Sequence, residues 1–380
     1  WFDLFEESRT VPELGALLPD PSSAWVSGAR PLVPSADFEA AVGRVQAHIA
    51  AGDNYQANLT FPAEVLTAGS PAALYAQVRR RGRGGHGALV FTGSHWILSF
   101  SPELFFTLEG GRLTTRPMKG TAERGRDAAA DAAAVEALRA DPKQRAENLM
   151  IVDLLRNDLS RVSRPGTVRV PSLFDVETYP TVHQMTSTVV SELEPGRGAY
   201  DVLGALFPCG SITGAPKIRA MEIIAAREWA RRGVYTGWIG RVAPDGAASF
   251  NVAIRTLTVQ AGESRAVMGL GAGIVADSRA ADEWRECLAK GAFLKSSEFD
   301  VNETMHFDPH DGIADLDRHL SRMKASSEAF GFEFNRHGAR NDLQAATFRL
   351  RDERKLRLRL SRSGRIAVES RPLPAAPEGP

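Results

Sequence analysis

Strand-like segments alternate with amphipathic helices over roughly the first three hundred residues, and this alternation restricts the architectures open to the chain. Extended segments follow one another at 233–242, 248–260 and 264–271, and a Pro-Asp-Gly turn at 244–246 separates the first two. Helical patterns precede and follow them. Long strand pairs interleaved with helices predict an α+β domain of about 300 residues, which is larger than the usual domain.

Apolar spacing and local turn signals place the individual elements. In the first helix, the apolar residues of the range 38–49 recur at intervals of three and four, and Gly52 follows the last turn. Helices are predicted over residues 36–51, 71–81, 127–140, 142–160, 216–232 and 277–296. Further strands are predicted over residues 55–65, 88–91, 96–100, 104–108, 167–170 and 183–193.

Charge balance and cysteine usage disfavour several classes of protein. Lys plus Arg and Asp plus Glu each number 46, so no net charge favours general nucleic-acid binding. Cys209 and Cys287 are far apart and lack zinc-ligand spacing, which suits a reducing cytosol. No apolar run approaches the roughly 18 residues of a membrane helix, so we expect a cytoplasmic protein without a membrane span. Because the chain begins at Trp1, we expect the native N-terminus to lie upstream.

A different pattern begins near residue 300. A helix is predicted over residues 315–330, and residues 355–360 alternate between basic and apolar. Such alternation is typical of a half-buried strand with a basic solvent face, which we favour over a nucleic-acid patch. We therefore expect a first domain over residues 1–298, a small subdomain over 299–372 and a Pro/Ala-rich linker or tail over 373–380.

Lys119 is the residue whose surroundings most suggest chemistry. Pro117 and Gly120 flank it and predict a tight, ordered turn, which would hold the amine in place. Glu103 stands 16 residues upstream, at the start of the apolar run 104–108. A candidate nucleophile and a candidate proton donor would thus flank one short strand. An ordinary surface lysine on a hairpin is equally compatible with this segment alone, because most lysines are solvated.

Three charged residues share one face of the last predicted helix of the first domain. Glu283, Glu286 and Lys290 are spaced by three and four, and a glycine-rich strand end at 269–275, where a ligand can approach the backbone, precedes them. Mg²⁺ takes oxygen ligands, and Glu286 with Glu147 from a facing helix would supply two. The alternatives are a salt-bridged solvent stripe and, for Glu147, an exposed first-turn acid.

One loop and two isolated side chains complete the candidates. The loop 208–217 offers glycines, hydroxyls and helix-start N–H groups suited to an acceptor or an anion, although its glycine spacing is not that of a P-loop. His183 lies on a predicted strand, where a single histidine is more often structural than catalytic. Arg255 is a cation within an otherwise apolar strand, which favours an anionic ligand as its partner.

These segments, in this order, resemble the chorismate-utilising enzymes, the family of anthranilate synthase and aminodeoxychorismate synthase large subunits. The resemblance covers about residues 35–296. The matching motifs are SPE at 101–103, PMKGT at 117–121, AENLMIVDL at 146–154, VH at 182–183, GSITGAPK at 210–217, GAGIV at 271–275 and DE at 282–283. The resemblance implies an α/β sandwich of two stacked sheets, with helices outside and the active site between the sheets.

The resemblance also implies a role for each candidate. Glu103 would act as the general acid that protonates the departing 4-hydroxyl of chorismate. Mg²⁺ on the ring carboxylate would be held by Glu147 and Glu286, with Glu283 nearby or bound through water. The enolpyruvyl carboxylate would be held by Arg255, Tyr235 and Lys290 and by backbone around Gly271 and Gly273. The ring would be lined by His183, Thr213, Gly120 and Thr121.

Position 119 is expected to separate two branches of the family. Anthranilate synthases are expected to carry Ala there, whereas aminodeoxychorismate synthases are similar to this chain in carrying Lys. Lys119 would attack C2 as the 4-hydroxyl leaves, and ammonia would then enter at C4 and expel the amine. Gln56 favours ammonia over water, because the similar isochorismate and salicylate synthases are expected to place a water-activating Lys nearby, and Gln cannot act as a base.

The resemblance leaves three readings of the first domain and implies a partner. Neither cysteine lies in a nucleophile-elbow context, so ammonia is expected from a separate glutaminase subunit. The leading reading is the aminodeoxychorismate branch, and anthranilate synthase component I is the nearest enzyme alternative. A non-catalytic scaffold for glutaminase and lyase partners is the third reading, against which the intact Glu103, Lys119, Glu147 and Glu286 argue.

The segment from about residue 301 resembles the beginning of aminodeoxychorismate lyase, an enzyme that uses pyridoxal phosphate (PLP). Residues 302–305, 311–312 and 316–320 carry this weaker likeness, and Arg322 matches an arginine that contacts the cofactor phosphate. The Schiff-base lysine would lie beyond residue 380, in a lyase domain that would follow. PLP is therefore not expected in this chain, since Lys355 is on a strand in the wrong context.

Overall fold

The protein consists of two compact units, Trp1–Lys295 and Ser296–Pro380. The computed structural model describes residues 2–11, 13–82, 85–179, 182–294, 300–330, 332–361 and 364–373. The domain boundary predicted after residue 298 falls among residues 295–299, which lie outside the described residues, as does most of the predicted tail. Within the described residues, no helix combines the length and the apolar character that crossing a bilayer requires.

The helices and strands alternate along the chain much as the sequence predicts. The helices are α1 (Leu14–Leu17), α2 (Ser35–Ala50), α3 (Pro71–Gly82), α4 (Ala128–Ala140), α5 (Pro142–Ser160), α6 (Ala199–Leu206), α7 (Lys217–Arg227), α8 (Ala280–Lys290), α9 (Leu316–Phe330) and α10 (Arg336–Thr347), with 3₁₀ turns at Pro21–Ser23, Gly210–Ile212 and Ala292–Leu294. The strands are β1 (Trp25–Val26), β2 (Arg30–Pro31), β3 (Gln56–Ala68), β4 (Ala88–Phe91), β5 (His95–Ser99), β6 (Leu104–Glu109), β7 (Arg112–Arg116), β8 (Met118–Glu123), β9 (Arg169–Thr178), β10 (Val182–Glu192), β11 (Gly214–Ala215), β12 (Trp238–Val242), β13 (Ala248–Val252), β14 (Thr256–Gln260), β15 (Arg265–Ile274), β16 (Val301–Asp308), β17 (Gly312–Ile313), β18 (Arg354–Leu360) and β19 (Ile366–Pro372).

Two antiparallel sheets form the first unit, and this confirms the predicted α+β class. The first sheet runs β1-β3-β15-β14-β5-β4, with β2 and β11 also paired to β3. The second runs β12-β13-β6-β7-β10-β8, with β9 paired to β10. The longest pairing joins β3 to β15 in unbroken register from Ala57–Ile274 to Leu66–Arg265. This pairing places the glycine-rich stretch of β15 beside the start of β3.

The two faces of β3 have opposite characters because strand side chains alternate. Phe61 on one face stacks on Trp284 of α8, with ring centroids 4.9 Å apart, in a core shared with α2. Burying each large apolar side chain there contributes about 1.5–3 kcal/mol. Gln56, Asn58 and Thr60 on the other face are polar and buried. Buried polar side chains on one strand face mark a candidate ligand-binding region.

Helix α5 packs on the second sheet and orients its own polar residues. Asp141 caps its start by accepting from the N–H groups of Lys143 and Gln144. Its residues 151–159 include the buried apolar positions of the second core. One turn before this apolar stretch, Glu147 and Asn148 project near β8, and Asn148 Nδ2 donates to the Lys119 carbonyl at 3.4 Å. The core therefore fixes where Glu147 stands.

The second unit is a small sheet in the order β17-β16-β18-β19 with α9 and α10. On β18, Leu356, Leu358 and Leu360 are buried, whereas Lys355, Arg357 and Arg359 are exposed. This confirms the predicted half-buried strand with a basic solvent face. The core of the unit is formed by residues of its own sheet and of both helices.

The structure corrects the predicted tight turn around Lys119. Lys119 lies inside β8, which pairs with β10 through Thr121–Gln184 and Met118–Thr186. The strand is nevertheless irregular near these Pro and Gly residues, since Gly120 has φ +96° and the register shifts between Gln184 and Thr186. Two strands, β6 and β7, separate Glu103 from Lys119, not the single strand that was predicted.

Several predicted bounds are also wrong: the strand expected from residue 233 begins at Trp238, the helix expected over 277–296 spans Ala280–Lys290, and the strand expected over 167–170 is Arg169–Thr178. Two further differences bear on the site. Helix α7 ends at Arg227 and not near 232, so the segment 228–232 is free to make contacts of its own. Arg255 is not within a strand but in the break between β13 and β14, with φ +49°. A left-handed backbone is costly for a side chain of this size, and such strain is characteristic of functional positions.

Candidate active site

Lys119 and Gln56 meet across Gly273, where the two sheets face one another. A Cβ atom on Gly273 would stand 3.0 Å from Gln56 Nε2 and 3.6 Å from Lys119 Nζ. Gln56 is 1% exposed, and its Nε2 has no hydrogen-bond partner among the described residues. An unpaired buried amide is costly. The glycine therefore opens a space whose polar lining fits a ligand with an oxygen acceptor.

The surroundings of Lys119 favour its neutral amine. Burial lowers the pKa of Lys119 most, and the nearby Lys290 lowers it further. Glu147, Glu103 and Glu286 oppose this shift by their negative charge. The side chain keeps partial solvent exposure, so the pKa is lowered while the amine remains reachable. A neutral, accessible amine can act as a nucleophile.

Glu103 is placed to keep a proton near neutral pH. It is 5% exposed and lies just before β6. Burial raises its pKa to about 7, although a hydrogen bond from Ser211 and the charge of Lys119 favour the ionised form. Its backbone is fixed on both sides, since its N–H donates to Ser101 Oγ at 3.2 Å and its carbonyl accepts from Val252 N at 3.1 Å. Such a carboxyl can donate a proton at physiological pH.

Three carboxylates from α5 and α8 lie close enough to influence one another. Burial raises the pKa of Glu147 and of Glu283, and the charge of Glu286 raises both further. Burial opposes ionisation of Glu286 too, but Lys290, Lys119 and Lys143 together outweigh it and lower the pKa of Glu286. A divalent cation would relieve this mutual repulsion, so the oxygen donors fit Mg²⁺. In the described ranges, no three Asp, Glu, His or Cys side chains are already gathered around one metal position.

Lys290 links α8 to the glycine-rich strand. Its Nζ donates to the Gly271 carbonyl at 2.9 Å and lies 2.7 Å from Glu286 Oε1. The Lys290 and Glu286 side chains are 43% and 57% exposed, so their ion pair contributes little stability. Both groups can therefore exchange this contact for a ligand at low cost.

Arg255 and Tyr235 both lie in segments between strands. Burial lowers the pKa of the Arg255 guanidinium, with Tyr179 opposing. Among the described residues Arg255 makes no ion pair with a carboxylate, which leaves its charge available for an anion. The ring of Tyr235 covers Gly269, where a Cβ would stand 2.0 Å from Tyr235 Cδ1. Burial raises the pKa of Tyr235, so it remains a neutral hydrogen-bonding phenol.

His183 is engaged in a separate cluster. It is fully buried on β10, with Nδ1 at 3.0 Å from Thr178 Oγ1 and Nε2 at 2.9 Å from Asp131 Oδ1. Arg124 lowers the pKa of Asp131, so Asp131 is an anion beside the imidazole. The structure thus does not bring a free ring nitrogen of His183 towards Lys119, and its predicted role at the ring stays a prediction.

The remaining predicted ring contacts differ in accessibility. Gly120 stands tight against α5, where an added Cβ would lie 3.1 Å from Gln144 Oε1. The Thr121 hydroxyl is exposed and bonds Gln184 at 3.2 Å. Thr213 is buried, and its carbonyl accepts from Asn58 N at 2.7 Å. Gly120 and Thr121 follow Lys119 directly on β8, and Thr213 lies two residues from Ser211, which favours the ionised form of Glu103 and so lowers its pKa.

Sequence reasoning missed two residues of the site. Ser211 favours the ionised form of Glu103 and so lowers its pKa, and Asn148 donates to the Lys119 carbonyl while accepting from Ser187 Oγ at 2.6 Å. Both lie in motifs that the sequence analysis singles out. No local signal pairs them with Glu103 or Lys119, because these partners are distant in sequence and meet only in the folded chain.

A cavity of about 510 Å³ opens near the site, but neither Lys119 nor Glu103 lines it. Its lining includes Thr60, Thr258, Val267 and Gly269. Of the residues predicted to bind substrate, only Tyr235 lines it in the described part of the chain. The Lys119–Glu103 group and this cavity are therefore different spaces.

Comparison with protein families gives a match over most of the first unit. Residues 5–296 match the family described as chorismate binding enzyme. The chain is 44% identical to aminodeoxychorismate synthase component 1 of Klebsiella aerogenes over 247 residues, which are 65% of this chain and 54% of that protein. It is 45% identical to anthranilate synthase component 1 of Streptomyces coelicolor over 256 residues, 67% of this chain and 50% of that protein.

A solved structure matches the same part of the chain. Anthranilate synthase component I from Streptococcus pneumoniae superposes with a TM-score of 0.65 at 33% identity, over 71% of this chain and 60% of that one. The chain spans about half the length of the curated relatives it matches. The likeness therefore concerns the two-sheet unit that carries Lys119 and Glu103.

Proposed function

The chain belongs to the family of chorismate binding enzymes, and we propose that it converts chorismate and ammonia to 4-amino-4-deoxychorismate and water. The observation that carries this proposal is Lys119, a partly buried but reachable amine with a lowered pKa, which lies with Gln56 around Gly273 and is influenced by the charge of Glu103. Relatives named aminodeoxychorismate synthase component 1, including that of Klebsiella aerogenes, support the same activity.

In the proposed reaction, Lys119 is the nucleophile of a displacement and Glu103 protonates its leaving group. The neutral Lys119 amine forms a bond to C2, the ring double bond shifts, and the 4-hydroxyl leaves as water with a proton from Glu103. Ammonia then bonds to C4, the double bond shifts back, and the C2–N bond to Lys119 breaks. The surplus proton of the new ammonium at C4 returns to Glu103, which restores the acid. The amine returns to its starting state, and one water has been exchanged for one ammonia.

Cationic and polar side chains would hold the two carboxylates of chorismate. Arg255 lacks a carboxylate partner within the described residues, and Lys290 holds only an exposed one, so both charges are available. Tyr235 and backbone N–H groups near Gly271 and Gly273 would add hydrogen bonds. We propose that His183, Thr213, Gly120 and Thr121 line the substrate ring. His183 would do so while its Nε2 stays in contact with Asp131.

Mg²⁺ is the metal that the carboxylate set fits best. Glu147 and Glu286, with Glu283 directly or through water, would hold it. When bound, it supplies positive charge to the ring carboxylate of the substrate. Without it, Lys290 neutralises Glu286, and Glu147 and Glu283 stand in an environment that disfavours their ionised forms.

A partner would supply the ammonia. Relatives named component 1 imply a second component, and we propose a glutaminase subunit that releases ammonia from glutamine. For the second unit we propose the start of a lyase-like domain. Its Arg322 is tied to Glu303 at 2.5 Å, and a cofactor phosphate would have to compete with that carboxylate.

Anthranilate formation is the second candidate, because an anthranilate synthase of Streptomyces coelicolor is 45% identical. The test is to incubate the purified chain with chorismate, Mg²⁺ and ammonium and to identify the product by chromatography and mass spectrometry. We expect 4-amino-4-deoxychorismate. Direct formation of anthranilate without an added lyase would overturn the proposal, and so would an absence of chorismate consumption, which would favour a scaffold.

A further inference from the structure

The turn between β15 and α8, residues 275–278, is tied to α2 by the amide of Gln46. Gln46 Nε2 donates to the carbonyls of Ala276 at 3.1 Å and Ser278 at 2.8 Å. The Val275 carbonyl lies 3.5 Å from the same nitrogen. Because carbonyl oxygens only accept, the amide nitrogen and not the amide oxygen must face the turn. The turn is therefore held in place from a helix that is distant in sequence.

Inside this turn, two hydrogen bonds fix the hydroxyl of Ser278. Ser278 is 8% exposed, and its Oγ accepts from the Val275 N–H at 3.1 Å. The same Oγ donates to Glu283 Oε1 at 2.7 Å. A hydroxyl carries one proton, and the bond from Val275 uses a lone pair, so the proton is free to point at the carboxylate. Ser278 thus holds one oxygen of Glu283 from outside α8.

The other oxygen of Glu283 remains available. In the part of the chain that the structure describes, neither a side chain nor a backbone N–H bonds Glu283 Oε2. The helix that carries Glu283 is itself anchored, because the neighbouring Trp284 stacks on Phe61 with ring centroids 4.9 Å apart. Glu283 can therefore offer a single free oxygen to a ligand while its second oxygen stays bound to Ser278.

A single free carboxylate oxygen suits a small cation better than a large one. Mg²⁺ demands near-ideal octahedral geometry and keeps several of its waters, whereas Ca²⁺ takes about six to eight oxygens in flexible geometry and often binds both oxygens of one carboxylate. Without the bond from Ser278, Glu283 could rotate and present both oxygens. The hydroxyl of Ser278 therefore opposes the mode of binding that favours the larger ion.

We infer that Ser278, held by Gln46 through the turn, is a positioning residue that restricts Glu283 to one free oxygen and so favours Mg²⁺ over Ca²⁺. The inference rests on the metal site of the proposed function, which Glu147, Glu286 and Glu283 would form. It does not depend on the chemistry at Lys119. Cation binding can therefore test it in the absence of any reaction.

The test is isothermal titration calorimetry of the full chain without chorismate, with MgCl₂ and CaCl₂ as separate titrants at one pH. Loss of a residue that orients a metal ligand typically weakens metal binding by about 10- to 100-fold. In Ser278→Ala we expect the Kd for Mg²⁺ to rise by about that factor. The Kd for Ca²⁺ should rise less or fall, because its coordination is flexible. The ratio of the Ca²⁺ constant to the Mg²⁺ constant should therefore fall.

Three further variants separate this role from a general effect on the turn. Ser278→Thr keeps the hydroxyl and should keep the wild-type ratio. Gln46→Glu turns an acceptor towards the carbonyls of the turn and should lower the ratio, as Ser278→Ala does. Asp277→Asn is the control, because Asp277 lies in the same turn but is exposed and paired with Lys143. Removing its charge should weaken both cations alike and leave the ratio unchanged.

A double variant tests whether Ser278 acts through Glu283. Glu283→Gln removes the charged oxygens that Ser278 is inferred to restrict. Adding Ser278→Ala to Glu283→Gln should therefore leave the ratio at the value of Glu283→Gln alone, because both changes remove the same interaction.

Three results would overturn the inference. The first is an unchanged ratio in Ser278→Ala, even with a lowered melting temperature, since that is a structural role alone. The second is an equal effect of Ser278→Ala in the wild-type and Glu283→Gln backgrounds. The third is a wild-type chain that binds neither cation, which would remove the metal site as well. A chain that binds Mg²⁺ but consumes no chorismate would refute the proposed function, and the ratios would still decide the role of Ser278.

Discussion

Lys119 Nζ lies 3.6 Å from the point that a Cβ atom on Gly273 would occupy. That Cβ atom would stand 3.0 Å from Gln56 Nε2, which is closer than a Cβ atom normally packs against a neighbour. Position 273 is therefore a glycine because β15 passes directly under the functional groups of β3 and β8. The space that it leaves is the space that a substrate ring would need.

A methyl group at this position should impair activity more than stability. In Gly273→Ala, Gln56 must shift by a few tenths of an ångström, and the methyl group also fills space beside Lys119. Because a misplacement of about 1 Å can cost on the order of 100-fold in rate, we expect a loss of up to that size. We expect kcat/KM for chorismate to fall strongly while the melting temperature changes little. Gly43→Ala on α2, where nothing lies within 4 Å of the added methyl, is the matched control. Equal activity of the two variants would show that the reaction does not require a glycine at position 273.

Burial of Glu103 predicts a stability that depends on pH. Its pKa is raised from 4.5 to about 7 in the folded protein, so the unfolded chain releases this proton first as pH rises. Wild-type stability should therefore fall between about pH 4.5 and pH 7, and Glu103→Gln should escape that loss. We expect Glu103→Gln to exceed wild type at pH 8 by at most about 3 kcal/mol in urea unfolding. The difference in stability should shrink at pH 5. A Glu103→Gln variant that is less stable than wild type at pH 8 would show that the folded protein stabilises Glu103 as an anion.

Binding of Mg²⁺ should be measurable without any reaction. A divalent cation replaces the repulsion between Glu147 and Glu286 with attraction, so Mg²⁺ should raise the thermal midpoint of the wild-type chain, more strongly at higher pH. Glu147→Gln and Glu286→Gln should lose this response, and EDTA should reverse it. The control is Asp282→Asn, also on α8 but exposed and paired with Arg285. A response that persists in both glutamine variants would place the metal elsewhere.

Arg255 combines a buried charge with a strained backbone, and the two properties can be separated. Arg255→Ala and Arg255→Gly both remove a charged hydrogen-bond donor, so KM for chorismate should rise by roughly 10- to 100-fold in each. Only Gly relieves the φ of +49°, and the Gly variant should be more stable than the Ala variant by about 1 kcal/mol. An unchanged KM in both variants, measured by steady-state kinetics, would exclude Arg255 from carboxylate binding.

The sequence predicts elements well where a local pattern sets the structure. The alternation on β18 and the apolar spacing in α2 arise from burial of one face, and both were predicted within a residue or two. The carboxylates of α8 share a face because helical geometry requires it. Lys119 and Glu103 could be singled out because turn residues and short motifs surround them.

Prediction fails where distant contacts override local preference. The Ala- and Arg-rich run 225–232 favours a helix, yet α7 stops at Arg227 because Glu228 and Arg232 bond Thr60 and Asn58 of β3. The tight turn predicted around Lys119 is wrong because pairing with β10 extends this segment into a strand. Nothing local to Ser211 reveals its influence on the pKa of Glu103, which lies 108 residues away.

The proposed reaction depends on covalent attachment of the Lys119 amine to the substrate. Without ammonia the second displacement cannot occur, so the adduct should accumulate when the chain is mixed with chorismate and Mg²⁺ alone. Intact-mass spectrometry should then show a gain equal to chorismate less one water, and peptide mapping should place it on Lys119. Lys119→Ala should show no gain. An adduct of the same mass that persists in Lys119→Ala would exclude Lys119 as the nucleophile. Wild-type turnover with ammonium, but no adduct when ammonium is left out, would exclude the covalent intermediate.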